Sequence, residues 1–196
     1  GSMAVPSLPY VFKDRDAAIE MSNSEIGDKL LQDITDAKVG FVGLGWYVDT
    51  PRSFFTAKKE VKTLADLKGL KIRSVESNLY MDYKAALGMN PTPLAFSEVY
   101  TSLSTGVIDA AANTMDSFVS NKLYEVCKYF VMNNGMIPTY PVVISEKTWS
   151  SLNDEEKGWV KDALKVSSDF FAKEGAAKMD DQIKFCEEQG VTICYP

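Results

Sequence analysis

Arg73 carries the most directed chemistry in the chain. It lies in a short extended run, Lys71-Ile72-Arg73-Ser74. A guanidinium is a rigid, always-charged fork that can hold a carboxylate through two parallel hydrogen bonds. Asn113 ends the run Val-Ile-Asp-Ala-Ala-Ala-Asn, and its carboxamide can both donate and accept, which suits a carboxylate or a hydroxyl. Phe96 precedes a helical segment and offers a flat apolar face. Arg52 sits in Gly-Trp-Tyr-Val-Asp-Thr-Pro-Arg-Ser-Phe-Phe-Thr, where Trp46 and Tyr47 could wall a pocket. Each residue also has a plainer reading. Arg73 could pair with Asp66 or Glu76 at the surface. Asn113 could serve a turn. Phe96 could pack on Val99 and Tyr100, and Trp46 could fill a core. Asn134 and Tyr140 are further polar candidates.

The residues that are missing exclude a good deal. The 196-residue chain contains no histidine, so Ser-His-Asp, Cys-His and His-metal chemistry are ruled out. Its glycines stand singly, with no phosphate-cradling loop. Cys127, Cys186 and Cys194 are odd in number and lack metal spacing. They read as buried or idle thiols, although a Cys186–Cys194 bridge is left open. No paired carboxylates or activated nucleophile can be seen. No catalytic residue, cofactor or metal is therefore expected, and the chain reads as a binding protein and not an enzyme. A net charge of −6 argues against nucleic acid as a partner. Lys58, Lys59, Lys62, Lys68 and Lys71 read as a solvated face. No apolar run is long enough to span a bilayer.

The elements that must position these residues alternate. Thr63 can cap a short turn closed by Gly69, and Lys71–Ser74 runs extended. Ser77 can cap a helix with Tyr80, Tyr83 and Leu87 on one face, closed by Gly88. Pro91 and Pro93 bracket an extended piece. Ser97 can cap a helix closed by Gly106, and Ile108–Ala112 is the next strand. This alternation points to a parallel α/β sheet, in which ligands bind beyond the carboxyl ends of the strands. Arg73 and Asn113 both fall at such ends. Upstream, residues 1–9 read as a flexible lead, Ser24 or Asn23 can cap a helix, and Val39–Gly45 suits a strand. Trp46–Phe55 reads as a loop. Downstream, a helix is expected over Asp116–Tyr124, an extended piece over Val126–Met132, a turn over Asn133–Pro138 and a strand over Tyr140–Ser145. A short helix follows over Glu146–Leu152. Asn153 and Glu156 form a capping box for one long helix reaching about Gln189, with Gly175 as its candidate bend.

Leu-Ala-Asp-Leu-Lys-Gly-Leu-Lys-Ile-Arg, the run from Ala86 to Ala110 and the later Lys-Leu-Tyr-Glu-Val-Cys-Lys-Tyr-Phe resemble the solute-binding proteins of tripartite ATP-independent periplasmic (TRAP) transporters. The likeness extends from about Leu8 to Ile193. It implies a periplasmic-binding-protein-like α/β fold, type II-like, with two lobes and a long spanning helix. The lobes would divide as 8–50 with 108–132, 51–107 with 133–152, and the helix over 153–190. It also implies that Arg73 grips a carboxylate, that Phe96 packs on the ligand's carbon skeleton, and that Asn113 and Arg52 add polar contacts. Asn113 stands without the Gly-Gln-Glu before it and the Pro after it that are usual in the family. The implied ligand is a small organic acid, the partners are TRAP membrane permease subunits, and the location is the periplasm.

Relatives of this kind open with further βα units, so the chain is expected to be truncated, with an incomplete first lobe and a signal peptide lost upstream. Gly1-Ser2 resembles a cloning remnant. Open strand edges and uncovered helices would follow, and pairing with another copy by element exchange is expected to cover them. The alternative is a truncated, non-binding member that acts as an oligomeric structural or interaction protein.

Overall fold

Two apolar patterns build the molecule, and they lie in different parts of the chain. In the computed structural model, which describes residues 2–196, the chain divides into two compact units. One comprises the residues up to Thr50 together with Met136–Ala177, and the other comprises Pro51–Gly135 and Lys178–Pro196. Gly1, part of the expected flexible lead, lies outside the described residues, while Ser2–Ser7 forms a 3-10 helix.

The first unit begins with helices α1 (Arg15–Ser22) and α2 (Glu25–Asp36). Asp14 caps α1 through the Ala17 N–H, and Ser24 caps α2 through the Ile26 N–H. Strand β1 (Phe41–Val48) then pairs antiparallel with β7 (Thr139–Ser145), with an irregularity between Gly43 and Gly45. Gly43 is required there by a close approach: a Cβ would lie 2.6 Å from the Leu31 carbonyl oxygen. Helix α6 (Glu146–Ser151) follows β7, and α7 (Asp154–Ala177) packs on β1. The expected capping box is present, with reciprocal bonds between Asn153 and Glu156 of 2.8 and 2.9 Å. Arg15 ties this unit together by donating to the carbonyls of Asp49, Ala172 and Val48 at 3.0, 2.6 and 2.8 Å. Gly175 lies inside α7, where its missing side chain leaves room for Arg15 and Thr50. On the outer side, Trp159, Val166 and Phe170 are 61, 71 and 65% exposed, an apolar row that the unit leaves uncovered.

The second unit is built on a six-stranded sheet in the order β4-β3-β5-β2-β6-β8. Its strands are β2 (Arg52–Thr56), β3 (Lys71–Ser74), β4 (Asn90–Pro93), β5 (Ala110–Asn113), β6 (Tyr129–Met136) and β8 (Thr192–Cys194). Helices α3 (Asn78–Ala86), α4 (Val99–Thr105), α5 (Met115–Ser120) and α8 (Met179–Glu188) cover it. β2 is buried on both faces. Phe55 packs with Val99, Leu103, Phe118 and Phe130, while Phe54 packs with Val61, Ile72, Met89 and Val131. Gly69, Gly88 and Gly106 take positive φ where their turns close, as the sequence pattern expects.

Several expectations change. β3 runs parallel to β4 and β5, but β2 runs antiparallel to β5, so the sheet is mixed. The stretch 46–55 is not a loop. β1 continues to Val48 and β2 starts at Arg52, because Phe54 and Phe55 outweigh the polar residues around them. Strand β6 reaches Met136, replacing most of the expected turn. Residues 108–132 belong with the second unit and not the first, since β5 pairs with both β2 and β3. Most of 133–152 lies in the first unit, through β7. The expected single helix is two, α7 and α8, interrupted at Lys178. The helix expected over Asp116–Tyr124 stops at Ser120, and Lys122 has φ 54°.

All three cysteines are free and buried, so no Cys186–Cys194 bridge exists. Burial pushes the Cys127 thiol up to about 12 and that of Cys186 to about 11. Ellman's reagent at neutral pH should therefore label none of the three until denaturant is added. Gly43→Ala should cost about 1–3 kcal/mol, because α2 would have to lift from β1. Gly158→Ala, whose Cβ meets nothing within 4 Å, should instead stabilise by about 1 kcal/mol. Thermal unfolding of the two variants distinguishes these opposite signs.

Candidate functional site

Strand direction gathers four of the five proposed residues at one edge of the second unit's sheet. β3 and β5 are parallel, with Ile72 opposite Ala110, so Arg73 and Asn113 emerge near the carboxyl ends of neighbouring strands. β2 runs the other way, with Ser53 opposite Asn113, so its amino end brings Arg52 to the same edge. Phe96 begins the turn that follows β4.

Arg73 is 7% exposed and does not pair with Asp66 or Glu76. The Asp66 carboxylate is instead taken up by the N–H groups of Lys62 and Thr63 and by the Thr63 hydroxyl. Arg73 Nε donates to the Leu94 carbonyl at 2.9 Å, and the guanidinium carbon lies 5.7 Å from the centroid of the Phe96 ring. Its two terminal nitrogens have no protein partner among the described residues. One edge of the fork is therefore anchored, one face is stacked, and the outer nitrogens remain available. Phe96 is 37% exposed and lies outside both core clusters of its unit, so it supports Arg73 while keeping apolar surface open.

Arg52 Nη2 donates to the Ala112 carbonyl at 3.0 Å. The Asn113 carboxamide is partly spent on its own turn. Nδ2 donates to Ser117 Oγ at 2.7 Å and Oδ1 accepts from the Thr114 N–H at 3.0 Å. One amide hydrogen is still available. Asn134 exchanges bonds with Ser53 and adopts φ 47°, so it serves the backbone. Trp46 lies on β1. It is buried with Leu30 and Leu31 in the first unit, where its indole N–H donates to the Gly27 carbonyl at 3.3 Å. There it packs beneath α2 and also lines a cavity of the first unit with Leu31, Val48 and Leu164. Tyr140 is also in the first unit, on β7.

Sequence reading missed Lys84. It is only 4% exposed, and its ammonium donates to the Arg73 carbonyl at 2.7 Å. Burial, then Arg52 and Arg73, pull its pKa down to about 7. Burial and the charge of Arg52 likewise lower that of Arg73. A clue was available in the sequence: Lys84 follows Tyr80 by four residues and precedes Leu87 by three, which places it on the inward face of α3. Among the described residues no carboxylate forms an ion pair with Arg52, Arg73 or Lys84. Such a cluster of positive charge can neutralise an anion brought from outside. Among the described residues no group of acidic, cysteine or histidine side chains could hold a metal, and no helix is long and apolar enough to cross a membrane.

Comparison with known proteins supplies the family. The model of the bacterial extracellular solute-binding proteins, family 7 (DctP), matches residues 2–196. The sialic acid-binding periplasmic protein SiaP of Vibrio cholerae is 31% identical over 194 residues, covering 96% of this chain and 58% of that protein. A TRAP periplasmic solute-binding protein from Pseudomonas putida F1, solved with D-glucuronate, superposes with a TM-score of 0.92 at 30% identity. Its counterpart from Sulfitobacter sp. NAS-14.1, solved with β-D-galacturonate, gives 0.92 at 33%. Each superposition covers 99% of this chain, but 63% and 64% respectively of the solved chain. The chain thus spans somewhat under two thirds of these relatives. A match that runs through all the described residues, on a fold with a long C-terminal helix, places the chain in family 7 of the bacterial extracellular solute-binding proteins, a family of receptors and not of enzymes.

Proposed function

We propose that this chain captures a small organic acid outside the cytoplasm for a TRAP-type membrane transporter, with Arg73 as the carboxylate clamp. The observation that carries this reading is a buried guanidinium with unspent terminal nitrogens, stacked on Phe96 and lacking an acidic partner among the described residues. Removing a carboxylate and a guanidinium from water is costly, and two parallel charge-assisted bonds offset that cost. Arg52 adds a second positive charge, and Asn113 offers its remaining amide hydrogen to a hydroxyl or carboxylate oxygen. The exposed part of the Phe96 ring suits the C–H face of a sugar acid. Relatives solved with D-glucuronate and β-D-galacturonate make uronates the first acids to try. The periplasmic setting and the permease partner are proposed on the strength of the family and the curated relatives.

A thermal-shift panel of D-glucuronate, D-galacturonate, a sialic acid and a C4-dicarboxylate tests this. An acid present at a hundred times its dissociation constant should stabilise the fold by about 2.7 kcal/mol. No shift from any acid would overturn the proposal. Arg73→Ala should weaken binding of the best acid by about 2–5 kcal/mol in calorimetry. Arg73→Lys should also bind less tightly, because an ammonium cannot make the parallel pair. Full affinity in the lysine variant would remove the clamp.

A further inference from the structure

Lys84 is an unusual residue to bury. Lysines seldom lose their water unless a carboxylate pairs with them. Here the ammonium is enclosed beneath α3 and bonded to the main-chain oxygen of Arg73, the clamp residue itself. The charged groups facing it are Arg73 from β3 and Arg52 from β2. β4, the other strand packed on α3, carries only Asn90, Pro91, Thr92 and Pro93 and adds no titratable group. On α3 itself Asp82 is exposed, and the Tyr83 hydroxyl accepts from Asn133 Nδ2 at 3.5 Å. The cluster therefore has three positive groups and no internal anion.

We propose that Lys84 is the proton-coupled positioning residue of the anion site: an acid seated on Arg73 draws a proton onto Lys84, so that ligand binding and protonation are linked. This rests on the reading of Arg73 as a carboxylate clamp. No covalent bond is made or broken. The proton comes from solvent, and Lys84 passes from amine to ammonium while keeping its bond to the Arg73 carbonyl, which either form can donate.

Linkage sets the direction. In the ligand-free protein Lys84 holds its proton up to a pH of about 7 and is mainly neutral above it. An added carboxylate brings opposite charge and raises the lysine's proton affinity. The acid itself is fully ionised in this range and contributes no proton of its own. Binding should therefore take up a proton above neutrality and none well below it. Affinity should fall as pH rises, approaching about tenfold per pH unit between the free and bound pKa values.

Titration calorimetry of the wild-type chain with D-galacturonate, or with whichever acid of the panel binds best, tests this. It is run at about pH 8 in phosphate and in Tris, whose ionisation enthalpies differ. The expected result is an uptake of roughly half to one proton per acid bound. Lys84→Met and Lys84→Arg should bind with no uptake and with affinities that do not change above neutral pH. Measurable wild-type binding without proton uptake would overturn the role of Lys84 and leave the clamp standing. So would uptake that persists in either variant. Failure of every acid to bind overturns both. The wild-type measurement is decisive even where a variant does not fold.

Discussion

Like-charge repulsion at one sheet edge is the constraint around which the second unit is arranged. Arg52, Arg73 and Lys84 come together there with no acidic side chain among the described residues paired to them, and burial raises the cost. What holds them is main-chain oxygen. Each donates to a carbonyl of its own unit: Ala112 for Arg52, Leu94 for Arg73, and Arg73 itself for Lys84. Carbonyl dipoles orient a cation without cancelling its charge. Arg15 in the first unit shows the contrasting case. Its guanidinium gives three bonds to three carbonyls, which stitches elements together and leaves little to offer. Two partly buried arginines thus differ in use because of how many of their hydrogens are already committed.

The mixed sheet makes the arrangement possible. A wholly parallel sheet would send the amino end of β2 to the opposite edge and Arg52 with it. The antiparallel pairing of β2 with β5 puts Ser53 opposite Asn113, so the start of one strand meets the end of the other. The double-sided burial of Phe54 and Phe55 fixes that pairing, since a slip of one residue would exchange two aromatic rings between separate cores.

Local features of the chain were legible from residue types alone. Caps at Ser24, Asn153 and Thr63, the glycines that close turns, and the strand carrying Arg73 depend on neighbours a few residues away. Non-local matters were not legible. The lobe of residues 108–132 cannot be read locally, because the partner of β5 is a contact up to sixty positions away, as in Arg52 with Ala112. The polar residues around Trp46 hide that β1 continues through it and packs the indole on Leu30 and Leu31. Residue type alone does not single out Lys84, because a lysine inside a helix usually reaches solvent. Its helical spacing placed it inward, but only the folded chain shows that it ends on a carbonyl instead of an acid.

The division of the chain carries one more consequence. Each unit is assembled from two separate stretches, so the polypeptide passes from one to the other three times, near Thr50, Gly135 and Ala177. No single cut yields either unit whole. A break after Ala177 would strip α8 and β8 from the second sheet and uncover Cys186, Val191 and Cys194. Recombination at one point in the gene could therefore never transplant the arginine-bearing half intact, and the two halves must be inherited as an interlaced pair.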